Sequence, residues 1–368
     1  MNKLLFTEAQ IDAMPTILDV VEQISAEENK QALHFVSQIP SPEHLNEGRF
    51  MPVSERRNRD VVHLMPTSQS PFRYYRGQSQ YHEPCVPSLY RKNEKGEPST
   101  VEEVAANLIK IFEFTLLLKT HPVFCCVAQN MTVSPFALAQ HYGLVTDYLD
   151  ITNSKWVAAF FASTGYCWET DTYYPVGRDY KDGFGVMYIS KEFDAQSIPD
   201  EFFEKNGVIG YQYFARPTKQ SSFGFQMELG EDFNKNPFFE PVFFRHDLNA
   251  SKVVFDMSYR QNRFIPKDTL SKLARKIMQS DEVTRKAVEE CSTRYFTDRE
   301  PSFGDEVCKR MGWKIREDNA PIAAFDEAEI AADWKEWMEF GKADIEARTL
   351  PIHPVTMIPL KDLQECDG

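Results

Sequence analysis

Between Gln140 and Thr164 a polar turn containing a glycine, Gln140-His141-Tyr142-Gly143, runs into a short β-prone stretch that closes on Asp150 and Thr152. The segment NSKWVAAFFAST follows at once, and its Trp156, Val157, Phe160 and Phe161 are expected to face inward from one helix. Strand, polar pair and helix start in direct succession are a common way for a fold to present a site. A helix N-terminus offers unpaired N–H groups and the positive end of its dipole. Upstream lies Phe72-Arg73-Tyr74-Tyr75-Arg76-Gly77-Gln78, which sets an arginine between an aromatic strand and a glycine.

The rest of the chain sets bounds on what can surround these segments. With 368 residues and 42% hydrophobic content, including 28 Phe and 15 Tyr, there is ample material for a packed core. No stretch approaches the ~18 uninterrupted apolar residues of a membrane span. Seven cysteines without metal-type spacing read as reduced thiols, the state of a cytoplasmic protein, and no metal site is expected. The net charge is −14, and residues 317–346 hold ten acidic residues against two lysines. No basic stripe is available for strong non-specific nucleic-acid binding. A small charged ligand or a single protein partner suits this balance better.

The periodicities predict an α+β fold: a mixed or antiparallel sheet core with flanking helices and helical extensions at both termini. Residues 1–66 read as a helical N-terminal extension and linker, with a capping box at Thr7 and Gln10 and a solvated charge run from Glu55 to Asp60. Residues 67–278 read as the core. There Ser99 and Glu102 are expected to cap one helix, Pro135–His141 to form another, and Gly185–Ile189 to be a buried strand. Residues 165–184 read as a loop, and Val253–Met257 as a further strand. Ser222–Gly230 alternates apolar and polar residues, as a half-buried strand does. Residues 279–368 read as an acidic helical region. In it Trp334 and Trp337 either pack onto the core or anchor a protein partner.

The polar residues that interrupt these elements are the candidates for chemistry. Arg76 suits bidentate binding of phosphate or carboxylate, and Gly77 allows close approach; alternatively Arg76 is structural and pairs with Asp150. His141 is either a general base or a device that satisfies the last carbonyls of its helix. Thr152 is either a ligand contact or the N-cap of the helix from Asn153. A carboxylate at an apolar strand–helix junction must be paired or hydrogen-bonded, so Asp150 is expected to meet an arginine or helix N–H groups. Gln226 and Glu228 are expected on one strand face, as a substrate-holding pair or as a solvated surface. Arg76, His141, Asp150 and Thr152 are expected to converge on one cleft. No Walker A, GxGxxG, HExxH or GxSxG pattern is present, which argues against the enzyme classes those motifs serve.

Tyr75-Arg76-Gly77 and the block Gln140–Thr152 with the following helix resemble the FRG domain family, named for a Phe-Arg-Gly motif whose first position is tyrosine here. Arg216, Lys219 and Gln220 before Phe225 are similar to a further block of that family. The succession of an arginine–glycine strand, a strand ending in a hydroxyl residue, a helix and a later glutamate strand also resembles the ADP-ribosyltransferase fold. That resemblance implies NAD as substrate, with Arg76 on its phosphate, Thr152 shaping the nicotinamide pocket and Glu228 on the nicotinamide ribose as the catalytic carboxylate. His141 is a second catalytic candidate. Gln140, Gln220 and Gln226 join Gly77 and Asp150 as ligand-binding candidates, and Gln220 is the alternative to Glu228 for the late-strand position. The implied roles are a toxin or anti-phage effector; a non-catalytic nucleotide- or protein-binding module is the alternative.

Overall fold

In a computed structural model of the chain, residues 5–38, 50–54, 62–66, 73–92, 96–130, 133–167, 169–191, 202, 205–209, 214–266 and 268–341 are described. Phe72 and the charge run Glu55–Asp60 lie outside the described residues. The fold is α+β. Its centre is a six-stranded antiparallel sheet in the order Phe239–Arg245, Phe184–Ser190, Tyr75–Gln78, Tyr148–Thr152, Ser222–Gln226, Asn206–Val208.

Alternation along these strands sorts their side chains onto two faces. Tyr74, Leu149, Ile151, Tyr188, Phe223 and Phe225 belong to one aromatic-rich cluster. Tyr75 and Met187 belong to another, with Val157, Ala158 and Phe160 of the helix Lys155–Ala162. The N-terminal helix Ile17–Gln38 adds Ile17, Val20, Val21 and Ile24 to that second cluster. Its Glu28 accepts the Tyr75 hydroxyl at 2.6 Å and also takes Lys155. Gly77 is required where it is. A Cβ there would come within 1.8 Å of the Ala158 carbonyl oxygen, so the helix lies directly on the strand backbone.

The two middle strands meet in a single ladder pair, Tyr75↔Thr152. Beyond it they diverge, which leaves the sheet as two three-stranded halves with a seam between them. The helix Lys155–Ala162 leaves the Tyr148–Thr152 strand and lies on Gly77 of the other half, so it crosses the seam.

A third cluster joins the helix Val101–Leu118 to the helices Arg285–Tyr295 and Phe303–Met311, through Leu108, Ile109, Phe112, Val288, Cys291 and Val307. It therefore runs across residue 278. Near the C-terminus, helix Glu327–Glu336 is capped by Asp326, and Trp337 just after it is buried. Among the described residues no single helix is long and apolar enough to cross a membrane.

Several local expectations shift. The cap of helix Val101–Leu118 is Thr100 with Glu103, one residue beyond Ser99 and Glu102. Val253–Met257 is not a strand. Asp247 accepts the N–H groups of Asn249 and Ala250 and starts the helix Leu248–Met257, whose packing overrides the β-prone residues. The segment 165–184 contains the hairpin Thr164–Cys167/Thr172–Pro175. The alternating stretch from Ser222 is a strand only to Gln226.

Candidate functional site

Where the two halves of the sheet part, a cleft of about 380 Å³ opens beside Arg76, His141, Asp150, Thr152 and Gln220. Arg76 is 9% exposed, and its Nη1 donates to the Asp150 backbone carbonyl at 2.7 Å. The guanidinium thus takes a carbonyl that an unbroken ladder would have given to the neighbouring strand. The expected pairing of Arg76 with the Asp150 carboxylate is not what forms. Arg76 Nε is buried without a hydrogen-bond partner, an orphaned donor at the cleft.

The Asp150 carboxylate is not sealed in the junction. Its side chain is 40% exposed, so desolvation does not force a partner on it. Gln140 Nε2 donates to Oδ2 at 3.4 Å, and Gln140 Oε1 accepts Thr146 Oγ1 at 2.5 Å. On the other side His141 Nε2 lies 3.3 Å from Asp150 Oδ1 without hydrogen-bond alignment, and both atoms are buried with no hydrogen-bond partner.

His141 is held from behind. It ends the helix Pro135–His141, but its ring does not cap the helix; Arg216 Nη1 takes the His141 carbonyl at 3.1 Å instead. The imidazole Nδ1 lies 2.9 Å from Gln220 Oε1. Gln220 Nε2 donates to the Phe264 carbonyl at 3.0 Å, and a carbonyl can only accept, so the amide orientation is settled. Gln220 therefore presents an oxygen to His141, and Nδ1 carries a proton. The other ring nitrogen, Nε2, faces Asp150 at the cleft.

Thr152 is not the N-cap of the next helix; Ser154 is. The Thr152 hydroxyl donates to the Gln220 carbonyl at 2.7 Å and accepts the Ser154 N–H at 3.0 Å, which ties the Asp150 strand to the Gln220 segment.

An aromatic wall completes the cleft: Phe161, Tyr166, Tyr173 and Tyr180, with the Tyr166 and Tyr173 rings 4.8 Å apart. Burial, aided by the bond to Asp171, pushes the Tyr166 hydroxyl up to about 12, so it stays a donor at neutral pH. The wall is braced by a turn with three consecutive residues in the left-handed region, Tyr259 (φ 49°), Arg260 (52°) and Gln261 (72°). Each costs roughly 1–2 kcal/mol. Gln261 Oε1 accepts the Tyr173 N–H at 2.6 Å, and Phe264 just beyond supplies the carbonyl that orients Gln220.

The structure brings Arg76, Gly77, Gln140, His141, Asp150, Thr152 and Gln220 to this region. It does not bring Gln226 or Glu228. Gln226 Nε2 donates to Asp147 Oδ2 at 2.7 Å, at the other end of the strand from Ser222. Glu228 is exposed in a turn after the strand, where its N–H donates to Glu231 Oε2 at 2.8 Å, so it shares no strand face with Gln226. The aromatic wall escaped the sequence reading. Its signal in the sequence is the tyrosine-rich run Tyr166–Tyr180.

Residues 72–169 match the family model of the FRG domain. The match spans a little over a quarter of the chain. No curated protein and no solved structure matches the chain. The FRG match contains Arg76, Gly77, Gln140, His141, Asp150 and Thr152. Gln220, Ser222, Tyr173 and Tyr180 lie beyond it in sequence and complete the same cleft. In this protein the FRG segment therefore supplies the cation, the imidazole and the carboxylate. The chain that follows it supplies the amide that orients the imidazole and two of the four aromatic residues of the wall.

Proposed function

We propose that the cleft binds a dinucleotide of the NAD type and that the protein cleaves or transfers at its nicotinamide N-glycosidic bond, with Asp150 in the place that the ADP-ribosyltransferase resemblance gave to Glu228. The observation that carries this reading is the His141–Asp150 pair, an imidazole with one nitrogen locked and the other facing a half-exposed carboxylate. Arg76, with its orphaned Nε, would receive a phosphate oxygen, and Tyr173 and Tyr166 would stack a planar ring.

In the reaction the C1′–N bond breaks and its electron pair leaves with nicotinamide, which becomes neutral. Positive charge develops on the ribose and is stabilised by the Asp150 carboxylate. Water or an acceptor hydroxyl then attacks C1′ and passes its proton to His141 Nε2, whose Nδ1–H remains on Gln220. An activity that consumes NAD fits a toxin or anti-phage effector.

Nicotinamide release and calorimetric titration of NAD test this. Asp150→Asn is expected to retain NAD binding and lose on the order of 10²–10³ in turnover. Binding without turnover in the wild type would favour the non-catalytic nucleotide-binding module. No binding of NAD at millimolar concentration to folded protein would overturn the nucleotide reading.

A further inference from the structure

A second cavity, of about 260 Å³, is lined by Lys110, Trp313, Leu144, Val145, Met278 and Met311, none of which lines the cleft. Lys110 projects from the middle of helix Val101–Leu118 and is only 6% exposed. Its Nζ donates to the Ser280 carbonyl at 2.6 Å and stands 4.2 Å from the centre of the Trp313 ring. Neither partner carries a full negative charge. Glu113, one turn along, spends an oxygen on the Thr284 N–H, and burial raises its carboxyl. The Lys110 amine is correspondingly short of a counterion, and burial pushes it down to about 8. A buried cation without a counter-charge is costly to keep, whereas a bound anion would supply that charge.

We propose that this cavity is a binding site for a small amphipathic carboxylate, with its head group on Lys110 Nζ and its apolar body between Trp313, Met278, Met311 and Val145. A monoanion fits best because one cation serves the cavity and Glu103 also stands on its lining. A phosphate dianion would leave uncompensated charge there, and an amine would meet Lys110. The groups that bear on the amine's charge are Glu113 on its own helix, and Cys308 and Asp281 from the elements packed against it, while Glu103 stands on the cavity lining. A bound carboxylate adds to them and favours the charged amine, so binding at alkaline pH takes up a proton.

The test is calorimetric titration of hexanoate at about pH 8.5, in two buffers of different ionisation enthalpy. Saturable binding with proton uptake is expected, weakened at least about tenfold in Lys110→Met. Val145→Trp, which fills the cavity and leaves Lys110 in place, is expected to abolish binding and guards against a folding defect in the first variant. Hexylamine is expected not to bind. Absence of saturable hexanoate binding to the wild type at millimolar concentration would overturn the proposal, as would binding that survives Val145→Trp or is matched by hexylamine.

Discussion

The two ends of the strand Ser222–Gln226 carry the same alternation of apolar and polar residues and have different fates. At the Ser222 end the neighbours are Thr152 and Gln220, and the polar groups turn into the cleft. At the Gln226 end the partner is Tyr148, and Gln226 is spent on Asp147 while Glu228 stands in solvent. Period-two patterning tells which face a residue occupies. It does not tell which end of the strand faces a gap in the sheet.

Activity breaks this comparison most sharply. His141→Ala and Asp150→Asn are expected to lower turnover by on the order of 10²–10³, whereas Glu228→Gln leaves it within about twofold. Nicotinamide release from all three variants checks this, and a loss in Glu228→Gln equal to that in Asp150→Asn would invert it. The middle of the strand comes next. Gly224 lies opposite Asp150, and a Cβ there would meet the Tyr148 ring at 2.6 Å and Ala137 Cβ at 2.8 Å. Gly224→Ala is therefore expected to cost about 1–3 kcal/mol, read as a shift of the denaturation midpoint, because it pushes on the helix that carries His141.

Gln220→Ala should cost roughly 1–3 kcal/mol, since the Phe264 carbonyl and His141 Nδ1 lose their partner together. It should also lower turnover, because the His141 ring then loses the group that orients it.

The smallest effect belongs to the Gln226 end. Burial raises the Asp147 carboxyl above its ordinary 3.8. The folded state therefore holds this proton more tightly than the unfolded state, and the carboxyl's ionisation destabilises the fold as pH rises through its folded value. Asp147→Asn is expected to raise the melting temperature at neutral pH, with the gain shrinking as pH falls toward 3.8. A gain that is constant across that window would assign the effect to packing.

Much of the scaffold was legible. The capping box at Thr7 and Gln10 and the helix Pro135–His141 follow from local chemistry and appear as read. So does the meeting of Arg76, His141, Asp150 and Thr152 on one cleft, because polar residues that interrupt apolar elements need a common wet place. Val253-Val254-Phe255 misleads because β-branched and aromatic residues favour a strand, whereas the Asp247 cap upstream starts a helix. The end of the strand at Gln226 was signalled only by Gly230, whose φ of 94° belongs to the turn after it. The parting of the middle strands had no local signal at all. It depends on which strands become neighbours, and that is decided by contacts between residues far apart in the chain.

That parting has a mechanical consequence. Two half-sheets are joined at their seam by one backbone pair, one guanidinium and one overlying helix, with a shared aromatic cluster on the opposite face. The guanidinium is also the cation at the cleft, so a ligand that engages Arg76 pulls on the join. Occupancy of the cleft would thereby be coupled to the stiffness of the sheet, and faster exchange of the amides along Tyr75–Gln78 and Tyr148–Thr152 on ligand addition would report it.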